Sequence, residues 1–260
     1  MKIATIGDNC MDVYEQIGKA FPGGNPVNVG VYSTRYHHQV SYIGVVGEDE
    51  WGTLIKKGIS EKGVDTSRIK VLPGKTAVTI VELENNNRIF KDYDEGVLKD
   101  IVLSEEDLSF LREQDLVVSS IWSHIEQYLP AMRSEKNQIA FDFSTERENP
   151  IIDMAMPYVD FAFFAFDEDD EETRAFIKRR KAQGAKCVIA TLGSNGSIAY
   201  DGNEYYKYGI VPCNVVDTMG AGDSYIAGFL DGALKGMSIP ECMKRGAENS
   251  SITIEYNGAW

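Results

Sequence analysis

The sequence predicts an α/β fold with a mainly parallel central sheet, covered by helices on both faces, and a small β-hairpin lid. Two observations point there. Short, almost wholly apolar runs alternate with helical segments along the chain, the pattern of strands buried on both faces. One stretch breaks the alternation: two strand-like runs separated only by Asn85-Asn86-Asn87.

The apolar runs are Ile3–Ile6, Val40–Val46, Leu116–Ser119, Ile139–Phe143, Phe161–Phe164 and Val188–Thr191, each bounded by turn residues. Between them, Trp51–Lys62, Glu105–Glu113, Ile151–Met156 and Glu171–Gln183 have helical character. Thr76–Glu84 and Arg88–Tyr93 form the hairpin, which has no crossover helix and so is expected to project from the sheet as a lid or a dimer contact. No repeat or low-complexity linker divides the 260 residues, so one domain over 1–260 is expected, with its lid mainly at 76–93.

Composition narrows the function. Asp plus Glu number 40 against 26 Lys plus Arg, a net charge of −14, which disfavours nucleic acid as a partner. An anionic ligand would have to be held by local backbone donors and metal ions. Four scattered cysteines without a Cys-x-x-Cys pair suggest reduced thiols. The N-terminus has no signal-peptide pattern, and the longest apolar run, Phe161–Phe166, is far short of a membrane span. A cytoplasmic protein without a membrane partner is expected.

Gly74-Lys75-Thr76 imitates the end of a phosphate-binding P-loop, but Ile69 stands where that motif needs its first glycine. The segment also opens a hairpin rather than a helix, so the motif is rejected. No Gly-x-Gly-x-x-Gly follows a strand, which leaves a dinucleotide-binding oxidoreductase without support.

The informative run is Asp217-Thr218-Met219-Gly220-Ala221-Gly222-Asp223, feeding a segment with helical spacing at Tyr225, Ile226, Phe229 and Leu230. Unpaired amides at such a helix start form an anion hole, and glycines admit a phosphate close to the backbone. Asp223, in the first turn, can take a proton from an attacking hydroxyl. Taken alone, the run also fits a helix start with an acidic first turn that serves stability only.

A second glycine turn, Gly23-Gly24-Asn25-Pro26-Val27-Asn28-Val29-Gly30, reads as a helix start with Asn25 as cap, Pro26 at the first helical position and Asn28 projecting from the first turn. Together the two runs resemble the paired signatures of the ribokinase (PfkB-like) family of carbohydrate kinases. Other segments are similar to that family too. They are Ile6-Gly7-Asp8-Asn9, Gly47-Glu48-Asp49-Glu50-Trp51-Gly52, and Thr191-Leu192-Gly193-Ser194-Asn195-Gly196.

The resemblance implies a ribokinase-like three-layer sandwich, ATP, Mg²⁺ and transfer of the γ-phosphate to a sugar hydroxymethyl group. It implies Asp223 as base, with the Gly220-Ala221-Gly222 turn as anion hole. The sugar would meet Asp8, Asp12, Gly23, Gly24 and Asn28. The nucleotide would meet Thr191, Gly193, Gly196, Asp217 and Thr218, with Asn249 lining the adenine pocket. Gly47–Gly52 would be structural. Some members also bind a monovalent cation such as K⁺ near the Asp217 loop and the turn that here reads Asn257-Gly258-Ala259. A homodimer through the lid is a further family-level expectation.

Three departures from the family pattern stand out. Ala165 occupies the place of the Asn in the usual metal-organising Asn-x-x-Glu, leaving Glu168 as the stand-in, or a plain solvated helix start. The short stretch between Asp12 and Gly23 suggests a lid without its usual first hairpin. An acidic sugar contact expected after residue 119 is replaced by Ile121-Trp122-Ser123-His124.

These departures, with Ser33-Thr34-Arg35-Tyr36, Asp92–Val97, Phe141-Asp142-Phe143-Ser144 and the ending Asn-Gly-Ala-Trp, resemble the branch that phosphorylates the 6-hydroxyl of a fructosamine carried on a lysine side chain. That branch implies a sugar–amino-acid substrate, with Trp122 and His124 beside the sugar and Arg88 near the α-carboxylate or phosphate. Two alternatives stay open: a kinase of fructose, a sugar acid or a nucleoside, and a sugar-binding regulator without chemistry.

Overall fold

The computed structural model describes residues 1–84 and 87–260, with the side chains of 83–90 outside that description. Among the described residues the strands are β1 (Lys2–Ile6), β2 (Cys10–Tyr14), β3 (Lys19–Gly23), β4 (Gln39–Gly47), β5 (Asp65–Leu72), β6 (Val78–Glu84), β7 (Asn87–Asp94), β8 (Leu116–Ser120), β9 (Gln138–Asp142), β10 (Phe161–Ala165), β11 (Cys187–Thr191), β12 (Ser197–Tyr200) and β13 (Tyr205–Tyr208). The α-helices are α1 (Asn25–Thr34), α2 (Glu50–Glu61), α3 (Glu105–Arg112), α4 (Leu129–Met132), α5 (Ile151–Ala155), α6 (Glu171–Lys181), α7 (Ala221–Leu234) and α8 (Ile239–Thr253).

Nine strands form the main sheet in the order β13-β12-β11-β10-β9-β8-β1-β4-β5. From β11 to β5 all neighbours are parallel; β12 and β13 add an antiparallel edge. Side chains alternate between the two faces, as strand geometry requires. Ala4, Ile6, Val117, Ile139, Phe141, Ala162 and Phe164 pack with α3–α6. Ile3, Val118, Ala140, Phe161, Phe163 and Ile189 pack with α1, α2, α7 and α8. Each strand is therefore apolar on both sides, which is why these runs are readable as parallel-sheet strands.

The chain leaves β1 towards β4 and β5, then returns to β8 on the other side of β1. Connections diverge there, so a crevice opens beyond the carboxyl ends of β1 and β8, where ligands bind in open α/β sheets.

The lid differs from expectation. It is a four-stranded sheet, β3-β2-β6-β7, in which β2 and β3 pair antiparallel and β2 pairs parallel with β6. The first hairpin, expected to be missing between Asp12 and Gly23, is thus present within that short stretch. A 3₁₀ turn at Glu15–Ile17 followed by Gly18 in the left-handed region closes it tightly. The lid does not rest mainly on 76–93.

Its underside, Tyr14 and Val81 with Phe21, packs on Met219, Ala259 and Trp260 and so sits over the loop that leads into α7. Asp49 ties the lid to the main sheet. It caps α2 at the Gly52 amide (2.8 Å) and accepts from the Thr76 amide (2.8 Å) and hydroxyl (2.6 Å). Gly47–Gly52 and the false P-loop residue Thr76 thus act as structure.

Candidate active site

Asp8, carried just past β1, is buried. One carboxylate oxygen accepts from the Ser120 and Ser123 hydroxyls at the end of β8, the latter at 2.9 Å. The other accepts from the Asn25 amide N–H at 2.9 Å, at the start of α1. The crevice between β1 and β8 is therefore closed at its floor by a hydrogen-bonded carboxylate.

The start of α1 holds the second feature. Gly24, not Asn25, is the N-cap residue. Its φ of 107° and its position over the Asp8 carbonyl, 2.6 Å from where a Cβ would lie, leave room for glycine only. The expected capping role of Asn25 gives way because Asn25 already has helical backbone, and its side chain turns into the site. Asn25 Nδ2 donates to Asp142 Oδ2 at 2.8 Å and to Asp223 Oδ1 at 2.7 Å. Asn28, one turn along, donates from Nδ2 to Asp223 Oδ2 at 2.7 Å.

Asp223 lies in the first turn of α7. The Ala221 amide donates to Thr218 O (3.2 Å) and the Ser224 amide to Gly220 O (2.8 Å). The amides of Gly222 and Asp223, between them, have no acceptor among the described residues. A Cβ at Gly222 would meet nothing within 4 Å, so open space lies beside these donors, as an anion site needs. Gly220 is left-handed (φ 70°), and a side chain there would strike the Tyr32 hydroxyl.

Four carboxylates thus meet. Asp12, on β2 opposite Phe21 of β3, is buried and accepts from the Cys10 thiol at 3.3 Å. Any side chain at Gly23 would press on Asp12. Burial pushes the Asp223 carboxyl up to about 7; the Asn28 and Asn25 amides pull it down, and the Asp8 and Asp12 charges push it further up. Asp142 is likewise raised to about 7, by burial first and then by the Asp223 and Asp8 charges. Burial raises Asp8 as well, against its hydroxyl and amide donors. A base half-ionised near neutrality, with an amide anion hole beside it, is suited to taking a hydroxyl proton during group transfer.

Other expected residues fall elsewhere. Trp122 and His124 flank Ser123 and stand at the rim. Trp122 is 47% exposed, and His124 (φ 54°) is bonded through Nε2 to Glu95 Oε1. Strand β7 contains Arg88, whose side chain lies outside the described residues. Thr191, Gly193 and Gly196 form the turn at the carboxyl end of β11, the same edge of the sheet as the crevice. Thr218 is exposed, while Asp217 accepts from the Met219 amide (3.0 Å) and the Gly258 amide (2.9 Å), joining its loop to the 257–259 turn.

Asn249 is carried on α8. It is 2% exposed, donates to Ser224 O (2.7 Å) and accepts from Arg35 (2.9 Å). Both ends of its amide take part in joining α8 to α7 and α1.

In the acidic run, Asp170 caps α6 at the Thr173 amide (2.8 Å) and Asp169 pairs with Arg174 (2.7 Å) and Lys207 (3.1 Å). Glu168 remains exposed at this edge. Among the described residues no three His, Cys, Asp or Glu side chains converge as metal ligands. This donor set suits a Mg²⁺ held by phosphates and water, with Glu168 at most an outer partner.

Several site residues escape sequence reasoning. Asn25 is masked by its aptness as a cap, Ser120 has no marker except lying at a strand end, and Asp142 and Ser123 stand in runs quoted for the branch resemblance without any sign of their partners. Trp260, which donates from Nε1 to Asn28 Oδ1 at 2.8 Å, stands in the Asn-Gly-Ala-Trp run that carries the branch resemblance, with no local sign of this bond.

A model of the pfkB family carbohydrate kinases matches residues 9–260. Fructoselysine 6-kinase of Shigella flexneri is 47% identical over 258 residues, 99% of each chain. Fructosamine kinase FrlD of Bacillus subtilis is 35% identical over 265 residues, covering all of this chain and 93% of that one. Arabidopsis thaliana ribokinase, solved with ribose and ATP, superposes with a TM-score of 0.89 at 22% identity, covering 98% of this chain and 93% of that one. The fold is ribokinase-like.

Proposed function

The chain belongs to the pfkB family of carbohydrate kinases, and from that premise we propose that it transfers the γ-phosphoryl group of ATP to the 6-hydroxyl of a fructosamine such as fructoselysine. The observation that carries the acceptor is the 47% identity to fructoselysine 6-kinase along 99% of both chains. What supports the chemistry is Asp223, held by two amides beside an open anion hole.

In this reading Asp223 accepts the proton of the attacking hydroxyl. The Gly222 and Asp223 amides, with the Gly220–Gly222 turn, carry the negative charge that develops on the transferred group. Asp8 and Asp12 fix further sugar hydroxyls, and Gly23 and Gly24 let the substrate approach the backbone. Asn28 and Asn25 hold the base in place. Bound ATP supplies the phosphoryl group, and Mg²⁺ on its phosphates supplies charge neutralisation. Thr191, Gly193, Gly196, Asp217 and Thr218 line the nucleotide side, and Glu168 stands near the metal through water. The Asp217 loop and the 257–259 turn are the proposed place of a monovalent cation.

In this reading the aliphatic arm of the substrate leaves past the rim at His124 and Trp122, the latter 47% exposed. The test is ATP turnover against fructoselysine, other fructosamines, fructose, a 2-deoxy sugar acid and a nucleoside, with the phosphate position assigned by NMR. Fructosamines are expected to lead in kcat/KM, with 6-phosphate products. A preference for plain fructose overturns the acceptor assignment. Tight sugar binding without turnover of any acceptor overturns the kinase reading.

A further inference from the structure

We infer that Trp260 is a positioning residue for the base: its indole N–H fixes the orientation of the Asn28 amide and thereby keeps an N–H on Asp223. The inference rests on the reading of Asp223 as the base.

An Asn amide offers an acceptor at one end and donors at the other, and the two ends differ little in shape. Which end faces Asp223 must therefore be set from outside. Indole is a donor only. Because Trp260 Nε1 lies 2.8 Å from one end of the Asn28 amide, that end has to be Oδ1. The other end, Nδ2, then falls 2.7 Å from Asp223 Oδ2, where it favours the ionised carboxylate. Without the indole N–H, the turned amide would set oxygen against oxygen at the base.

The indole itself is held from several sides. A Cβ at Gly58 of α2 would lie 3.5 Å from its ring, ordinary van der Waals contact, so α2 runs close beside the indole. Lys62, at the end of α2, puts Nζ 5.7 Å from the ring centroid. The indole and Phe21 of the lid strand β3 both pack against the cluster of Tyr14, Val81, Met219 and Ala259. A contact chain therefore runs from the lid through Trp260 and Asn28 to Asp223. The ionisable groups around the base are Asp8 after β1, Asp12 on β2, Asp142 ending β9 and the Tyr32 phenol on α1; the cation nearest the ring is Lys62.

The experiment is the pH profile of kcat/KM for Trp260→Phe, Asn28→Ala and the double variant, with thermal midpoints recorded. Site-specific benzothienylalanine at 260, which keeps the ring shape and lacks the N–H, serves if Trp260→Phe folds poorly. The acidic limb should move up by about half to one pH unit in each single variant. That corresponds to a roughly three- to tenfold fall in rate at a pH below the limb relative to one above it. The double variant should move no further than Asn28→Ala. Lys62→Ala, which leaves the N–H in place, should leave the limb where it is.

A uniform loss across pH, or additive effects in the double variant, would make Trp260 a packing residue and overturn the inference. Asp223→Asn separates the two readings. If it stays near wild-type turnover, the assignment of the base fails and this inference falls with it. If it is inactive while the benzothienyl protein keeps its limb, the inference alone fails.

Discussion

On the reading of Asp223 as the base, the Asp142 charge beside it should contribute to the pH at which Asp223 ionises, and replacing Asp142 by Asn tests that coupling. The two carboxylates share the Asn25 amide, with Nδ2 at 2.8 Å from Asp142 and 2.7 Å from Asp223. If the two N–H bonds diverge by about 120°, the facing oxygens lie roughly 4.8 Å apart. At an effective dielectric of about 20 two full charges at that separation repel by ~3.5 kcal/mol, or roughly 2.5 pH units. Asp142 is itself pushed up to about 7, so near neutrality it carries only part of its charge, and the practical effect is about 1–2 units.

The sign follows from the chemistry: Asp223 acts ionised, so activity rises with pH through its pKa. Asp142→Asn removes a like charge, lowers that pKa and moves the acidic limb of kcat/KM down. The assay is initial rate at saturating ATP and low sugar from pH 5 to 9, since kcat/KM reports the free enzyme. An unmoved limb, or one displaced upward, would refute the coupling between the carboxylates. A fall in rate with no change of limb would make Asp142 a sugar contact only.

Asp223→Asn should retain nucleotide binding by titration calorimetry while turnover falls by roughly 10²–10⁴, the usual cost of a lost general base. The same variant tests linkage. A carboxyl raised to about 7 in the fold binds its proton more tightly than in the unfolded chain, so its ionisation weakens the fold as pH rises from about 4 to 7. Urea midpoints should then show the advantage of Asp223→Asn over wild type growing by ~1–3 kcal/mol between pH 5 and pH 8. Asp49→Ala leaves the Gly52 amide and both Thr76 donors without their acceptor. It should cost about 2–3 kcal/mol in a denaturation midpoint and raise KM for the sugar, as the lid loses its anchor.

Much of this was legible in the residues. Strands such as Phe161–Ala165 sit between helical layers, so every position is apolar, and that continuous pattern marks a parallel sheet without any knowledge of contacts. Gly220, Gly222 and Asp223 were legible because an anion hole needs several special residues in one local run. The lid hairpin Cys10–Gly23 was not, since its turn is so short that chain length alone argued against it. The partners of Asn249, Ser224 and Arg35, were not legible either, because a polar residue on a helix gives no sign of what its amide meets.

The layers, the strand ends and the glycine-rich helix start carrying Asp223 could be read from the residues, because each depends on short-range pattern and on residue chemistry. The tertiary structure alone decided what the base is worth. Asp8, Asp12, Asp142 and Asp223 are far apart in the chain, and only the fold brings them close enough for burial and mutual repulsion to lift Asp223 and Asp142 to about 7. The orientation of Asn28, set by an indole 232 positions away, belongs to the same class. Electrostatic coupling and amide orientation depend on distance in space, and sequence spacing carries no record of either.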